Sequence, residues 1–306
     1  MNKAKIKSLL FGAGAGAGTF MANTEHEREF IGLVDNDLNK IGKTINGLYV
    51  YAPTELSEIA FEEIVITTQW ALEVEKQLLE QLLIPRSKVI LPPKNQLKKI
   101  TPFYHTQTLA LGRDIIMQLS FFAAQINLPL VADFGTLLGL IRDKDIIAWD
   151  DDIDMSLPAG SHDALEGVLN SFISASQHEV EWRFERIVDK DKQPTSYLLM
   201  FTDPKGQLIE FKTSFSFRQN ESGKSIHLPS LGMWYAPEVH FNATESILFH
   251  GVSVKTPVRP NEYLTFLYGD WLIPKKNIQM SDYAHTQPVD FDDIQNAGFC
   301  VEVGKS

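Results

Sequence analysis

Between Lys5 and Pro93 short apolar runs alternate with stretches of helical spacing. The order is IKSLLFG, a glycine turn and short helix, EFIGLVDND, GKTINGLYVYAP, a helix, EEIVITT, the helix ALEVEKQLLEQLL, and SKVILPP. Apolar strands separated by helices bury both faces only as a parallel sheet covered on each side, so this order predicts an α/β unit. The unit closes near Pro92 and Pro93, and the basic, proline-closed KNQLKKITP that follows reads as a linker. At 306 residues the chain exceeds one average domain of about 100–200 residues, and the division expected is 1–95 and 96–306.

The second part is ordered differently. Phe103 to Ile126 carries apolar residues at helical spacing, LPLVADFG reads as a strand, TLLGLIR as a helix start, DIDMSLP as a strand and DALEGVLNSFISAS as a helix. Three β-like runs follow, EWRFERIV, SYLLMFT and QLIEFKTSFSF, and then LFHGVSVKTPV and NEYLTFLYGDWLIP as a strand pair and a short helix. That mixture predicts an α+β unit.

Composition narrows the partners. A chain 44% apolar and 22% charged folds as a globular protein, and a net charge of −11 argues against a nucleic-acid polymer, which is bound through clustered Lys and Arg. The single cysteine, Cys300, rules out an internal disulfide framework and fits a reducing, cytoplasmic setting. The N-terminal MNKAKIKSLLFGAGAGAG imitates a secretory leader, but its apolar core is only LLF, and a strand entering a glycine turn accounts for it better. No window reaches the ~18–20 apolar residues of a membrane helix, so work on a membrane-linked acceptor would be peripheral.

In FGAGAGAG, Gly12, Gly14 and Ala17 satisfy G-x-G-x-x-G/A directly after a strand, and Asp35 ends the next one. Such glycines let backbone approach a pyrophosphate while the carboxylate takes ribose hydroxyls. Packing of helix on strand explains the same glycines, and both readings stand. The stretch GLVDNDLNKIGKTINGLYVY resembles the N-terminal Rossmann-like module of bacterial polysaccharide-biosynthesis proteins, among them some sugar acyltransferases and epimerases. The resemblance spans about Lys5 to Pro93 and implies nucleotide or nucleotide-sugar binding, though such modules also serve as scaffolds. No Ser-Tyr-Lys arrangement accompanies it.

The densest charge is in IIAWDDDIDMSLP, Ile146 to Pro158. A solvated loop would have polar neighbours, whereas Ile146, Ile147, Trp149, Ile153, Met155 and Leu157 surround these aspartates. On a strand, Asp150, Asp152 and Asp154 share one face and Asp151 the other. Converging carboxylates repel unless a cation intervenes, and hard oxygen ligands at i, i+2 suit Mg²⁺, with Mn²⁺ as the alternative.

The stretch DFGTLLGLIRDKDIIAWDDDID closely resembles the core motif of the LicD and fukutin-related family in the nucleotidyltransferase superfamily, where a Gly-Thr or Gly-Ser turn precedes an apolar strand bearing Asp-x-Asp. LIEFKTSF is similar to the strand carrying the third carboxylate, here Glu210 where Asp is common, and EYLTFLYGDWLIP looks like the closing motif. The likeness covers most of Phe103 to Pro274. It implies that Asp152, Asp154 and Glu210 are catalytic, with Asp152 and Asp154 holding the metal, Asp150 as an auxiliary ligand and Glu210 completing the metal shell or taking the acceptor proton, and that Gly135, Thr136 and Arg142 bind phosphate. No cysteine-histidine cluster exists, so the zinc of some eukaryotic relatives is expected to be absent, and a lone histidine such as His227 or His250 reads as structural.

The implied activity is transfer of a phosphorylated alcohol, such as phosphocholine or a polyol phosphate, from a CDP-linked donor to a hydroxyl of a glycan or glycolipid. Two other readings remain open. A metal-dependent glycosyltransferase also places Asp-x-Asp after an α/β region, although the Gly-Thr turn upstream argues against it. A non-catalytic nucleotide sensor for polysaccharide assembly would leave the carboxylates without a task.

Overall fold

The computed structural model describes residues 5–97, 101–276, 279–283 and 285–303, and residues 98–100 of the expected linker lie outside them. Contacts divide the chain into two compact units, Met1–Ile100 with Lys275–Tyr283, and Thr101–Pro274 with Ala284–Ser306.

The first unit contains β1 (Ile6–Phe11), α1 (Ala15–Thr24), β2 (Arg28–Val34), β3 (Thr44–Ile45), β4 (Leu48–Tyr51), β5 (Glu63–Ile66), α2 (Ala71–Lys76) and β6 (Val89–Ile90). Its sheet runs β3-β4-β2-β1-β5-β6, and every pairing except the β3–β4 hairpin is parallel, the Rossmann-like arrangement. The hairpin turns on Asn46 and Gly47, both at positive φ, the two-residue turn that matches strand twist. Leu10, Ala13, Ala17, Phe20, Leu33, Val50 and Val65 form the core between sheet and α1. The segment Lys275–Tyr283 is fastened to this unit by Lys94, whose Nζ donates to the Tyr283 hydroxyl at 2.7 Å, and by Gln279, whose Nε2 donates to the Leu91 carbonyl at 2.8 Å.

The second unit opens with α3 (Thr106–Gln125), β7 (Val131–Ala132), α4 (Phe134–Arg142), β8 (Asp152–Pro158) and α5 (His162–Ala175). It continues through β9 (Glu181–Val188), β10 (Pro194–Thr202), β11 (Lys212–Glu221), β12 (Lys224–His227), β13 (Tyr235–Pro237), β14 (Thr244–Phe249), β15 (Val252–Pro257), α6 (Pro260–Tyr268), α7 (Phe291–Asn296) and β16 (Cys300–Val303). The strands form one mixed sheet, β14-β15-β7-β8-β11-β10-β9-β16, with β12 and β13 extending from β11. Helix and strand alternate irregularly in sequence yet share one mixed sheet, the α+β arrangement expected of this part of the chain.

β8 lies inside this sheet, antiparallel to β7 and parallel to β11. Its register sets Ile153, Met155 and Leu157 beside Thr213, Phe215 and Phe217, all buried, while Asp152, Asp154 and Ser156 lie beside Lys212, Ser214 and Ser216 on the other face. The apolar face joins one large core with α3 (Leu111, Ile115, Leu119) and α5 (Leu165, Leu169, Phe172), whose buried positions recur at three and four residues. Each such side chain contributes about 1.5–3 kcal/mol by leaving water.

Two expected strands are shorter than the pattern suggests. LPLVADFG yields only Val131–Ala132, because the Asp133 carboxylate accepts the Phe134 N–H at 2.8 Å and starts α4 there. QLIEFKTSFSF starts as a strand only at Lys212, because Asp203 Oδ2 draws in the N–H groups of Gln207 and Leu208, and the Ile209 N–H goes to Thr108 Oγ1.

Candidate functional site

The carboxylates of β8 face the start of α4. Thr136 Oγ1 accepts the backbone N–H of Asp154 at 2.8 Å, and the Asp154 carbonyl accepts the N–H of Asp133 at 3.0 Å. Both main-chain groups of Asp154 are therefore tied to the helix start. Its side chain is held as well, with Ser214 Oγ on β11 donating to Oδ1 at 2.8 Å. Gly135 and Thr136 stand in the first turn of α4, where backbone N–H groups lack helical partners and the helix dipole favours anions.

After α4 the chain doubles back along it. A Cβ at Gly139 would press on the Asp145 carbonyl at 2.6 Å, and one at Gly135 would overlap the Asp150 carboxylate. Only glycines at these two positions, four apart on one helical face, admit the returning segment. On its other side Ile146 lies where a Cβ at Gly112 of α3 would sit, and Arg113 forms a two-pronged ion pair with Asp145. Burial pushes the Asp145 carboxyl up, but the Arg113 hydrogen bond and charge and the Ile146 N–H outweigh it and hold it below its ordinary value.

This clamp delivers the aspartates. The strand begins at Asp152, so Asp150, whose N–H closes a turn on the Ile147 carbonyl at 3.0 Å, and Asp151 after it precede the alternating faces. Asp150, Asp151 and Asp152 each offer a carboxylate oxygen, and the three oxygens lie within 4.8 Å of one another, half-buried. Strand alternation sends Asp151 away from its neighbours; the turn brings it back. Three hard oxygen donors at that spacing fit a divalent cation such as Mg²⁺. Asp154 is one step further along the same face as Asp152 and outside that group of three. Glu210 is exposed, two residues ahead of β11, at the end of the sheet where Lys212 pairs with Asp152.

Arg142 is not brought to Gly135 and Thr136. It ends α4, about 10 Å along the helix at about 1.5 Å per residue. There it binds Asp143 through Nε (2.7 Å) and Nη2 (2.8 Å) and lies 5.7 Å from the centre of the Trp149 ring.

Sequence reading missed the buried support beneath this turn. Asp133, with no exposed surface, accepts from Ser156 Oγ (2.5 Å), the Tyr263 hydroxyl (2.6 Å), and Arg218 Nε and Nη2 (2.9 and 2.7 Å). Burial raises the Asp133 carboxyl, but Arg218 and the three hydrogen-bond donors outweigh it and hold it below its ordinary value. The Arg218 guanidinium lies between the rings of Phe134 (5.2 Å) and Phe241 (4.3 Å). Phe134, at φ 42°, occupies the left-handed region that bulky residues avoid, and contacts with Arg218, His227 and Trp234 hold it there. His227 is buried: burial, with Arg218 adding to it, pushes its imidazole down to about 3, and its Nδ1 lies 2.9 Å from Ser230 Oγ. The only sequence signal for the network is Asp133 itself, an acidic residue closing an apolar run.

In the first unit, Gly12 takes φ 111° after β1 and Gly14 borders open space, as a phosphate loop requires. Asp35, however, is engaged by the protein: Oδ2 accepts from the Ala13 N–H (2.7 Å) and Lys40 Nζ (3.1 Å), and Oδ1 from the Asp37 N–H (2.9 Å). The glycine in closest helix-to-strand contact is Gly16, against the Thr67 carbonyl, and Ala17 lies in the core.

The family model described as LicD/FKTN/FKRP, nucleotidyltransferase domain, matches residues 127–259, and that described as C2185-like, N-terminal, matches residues 4–90. No curated protein matches the sequence. Among solved structures, the chain is similar to ANT(2")-Ia in complex with adenylyl-2"-tobramycin, at 17% identity over 48% of this chain and 69% of that one, with a TM-score of 0.31. It is also similar to UDP-D-quinovosamine 4-dehydrogenase from Vibrio fischeri, at 25% identity over 28% and 75%, with a TM-score of 0.22. Scyllo-inositol dehydrogenase from Lactobacillus casei follows, at 12% identity over 83% and 82%, with a TM-score of 0.23. At such scores none of the three bears on mechanism. No helix among the described residues is long and apolar enough to cross a membrane.

Proposed function

With residues 127–259 forming a nucleotidyltransferase domain of the LicD/FKTN/FKRP family, we propose that this protein is a Mg²⁺-dependent phosphotransferase. It moves a phosphorylated alcohol, of the phosphocholine or polyol-phosphate type, from a CDP-linked donor to a glycan hydroxyl. The observation carrying this reading is the meeting of the aspartates at the start of β8 with the first turn of α4, a carboxylate cluster beside a ready anion site.

Asp152, with Asp150 and Asp151 beside it and Asp154 next along the face, would hold the ion. When bound, the ion supplies charge neutralisation for a diphosphate. The N–H groups around Gly135 receive phosphate oxygens, and the acceptor hydroxyl attacks the distal phosphorus in line. Its proton passes to the exposed Glu210 carboxylate, the phosphoanhydride bond breaks, and CMP leaves. Positioning and charge neutralisation suffice for such a step. Arg142, held by Asp143 beside Trp149, serves the returning segment rather than the transferred group.

The test is CMP release by the full chain from CDP-choline, CDP-glycerol and CDP-ribitol, with Mg²⁺ and with chelator. Release from at least one donor, lost with chelator and in the Asp152→Asn/Asp154→Asn double variant, is expected. Full activity in that variant would overturn the reading, and release of UDP from UDP-sugars instead would replace it with glycosyl transfer.

A further inference from the structure

At the opposite end of β8 from Asp152, about 20 Å away at about 3.3 Å per strand residue, the second unit contains a cavity of about 310 Å³. Its apolar floor comes from Pro129, Val131, Leu157 and Pro158, and its walls from the end of β11, Ser225 of β12 and the loop at Phe241–Thr244. Ser225 is fully buried, and its Oγ has no hydrogen-bond partner among the described residues. Antiparallel pairing of Ser225 with Asn220 and of His227 with Arg218 puts the Arg218, Asn220 and Ser225 side chains on one face, and all three line the cavity. The Ser225 hydroxyl is sealed from solvent, so the polar groups a ligand can reach are those at the exposed rim. At the rim, Asn220 Nδ2 donates to Asn242 Oδ1 at 2.8 Å, which leaves the Asn220 oxygen and the Asn242 amide hydrogens for a further partner.

The lining fixes the ligand's chemistry. Among the described residues no carboxylate lines the cavity, and the one charged side chain there, Arg218, is already matched by Asp133. An anion would have to compete with that buried carboxylate, so a neutral ligand is favoured. The Asn220 and Asn242 amides beside an apolar floor complement a molecule with hydroxyls at its edge and C–H groups on its face, and the volume is at the small end of ligand pockets. We propose that this cavity binds one neutral sugar or polyol unit, at a site separate from the carboxylate end of β8. The inference does not depend on the phosphotransfer reading; where both hold, the cavity grips the acceptor glycan away from the reacting hydroxyl.

Saturation-transfer NMR on the full chain, without Mg²⁺ or any nucleotide, tests it against the methyl glycosides of glucose, galactose, N-acetylglucosamine and rhamnose and against ribitol, with inorganic phosphate as a separate arm. Saturable binding of at least one neutral ligand is expected, weakened about ten-fold or more by Asn242→Ala and by Ala243→Trp, both at exposed positions, and unchanged by Asp152→Asn. Melting temperatures verify that the variants fold, and Ala159→Phe plugs the cavity from another side if Ala243→Trp does not. No binding at millimolar ligand, equal binding in the plugged variants, or displacement of the sugar by phosphate would each overturn the proposal. None of these readouts involves turnover, so the failure of phosphotransfer and the failure of this inference are distinguishable.

Discussion

The hydroxyl of Thr136, 2.8 Å from the backbone nitrogen of Asp154, is the joint between the first turn of α4 and the carboxylate strand. Replacing Thr136 with Val keeps the shape and leaves a part-buried N–H without its acceptor, so about 1–3 kcal/mol of stability should be lost. Thr136→Ser should retain most of it. Urea denaturation of the two variants separates the hydroxyl from the methyl; equal losses would mean that the hydrogen bond is not what the residue contributes.

Asp151 should matter as much as Asp152 for cation affinity. Strand alternation predicts Asp151→Asn as the mildest of the aspartate changes, but the turn groups its carboxylate with Asp150 and Asp152. Mn²⁺ titration followed by water-proton relaxation should give comparable weakening for Asp151→Asn and Asp152→Asn. An Asp151 variant with unaltered affinity restores the simple strand picture.

The two close glycines of α4 should respond differently to alanine. At Gly135 the new methyl meets the end of a side chain, Asp150, which can swing away; at Gly139 it meets the Asp145 main chain, which cannot. Gly135→Ala should therefore weaken cation binding with little change in melting temperature, whereas Gly139→Ala should destabilise by about 1–3 kcal/mol through overpacking. The reverse pattern would contradict the packing of the returning segment.

The buried network should also set the acid limit of stability. The folded pKa of His227, about 3, is below the ordinary 6.5. A depressed folded value means that its contribution is fully present above pH 6.5 and is lost as pH falls toward 3, at up to about 1.4 kcal/mol per unit. Asp133, also depressed, adds a loss that begins as pH falls below its ordinary 3.8 and grows until its buried carboxylate is protonated. Urea midpoints between pH 7 and 4 should fall less steeply for His227→Gln than for the parent; parallel slopes would assign the acid loss elsewhere.

Removing one partner of the Arg218–Asp133 pair should be far worse than an ordinary surface change. Arg218→Met leaves a fully buried carboxylate uncompensated, a loss of about 3–5 kcal/mol. Because Asp133 starts α4, the same variant should loosen the helix beneath Gly135, seen as faster amide exchange there. Undisturbed exchange would disconnect the network from the site.

The sequence by itself determined much of this protein. Alternating apolar strands and helices specified the parallel sheet of the first unit, and Ile153, Met155 and Leu157 marked the buried face of β8 with Asp152 and Asp154 opposite, because side-chain periodicity is a local property of the backbone. Tertiary structure decided what the pattern could not carry. Glu210 lost its strand position because Asp203, a turn residue, captured the preceding amides. Asp35 became a partner of the Ala13 amide rather than an open carboxylate. Asp133 and Arg218, 85 positions apart, met only when β7, β8 and β11 became neighbours. A hydrogen bond or ion pair between distant positions depends on which strands pair and in what register, and no single segment encodes that choice.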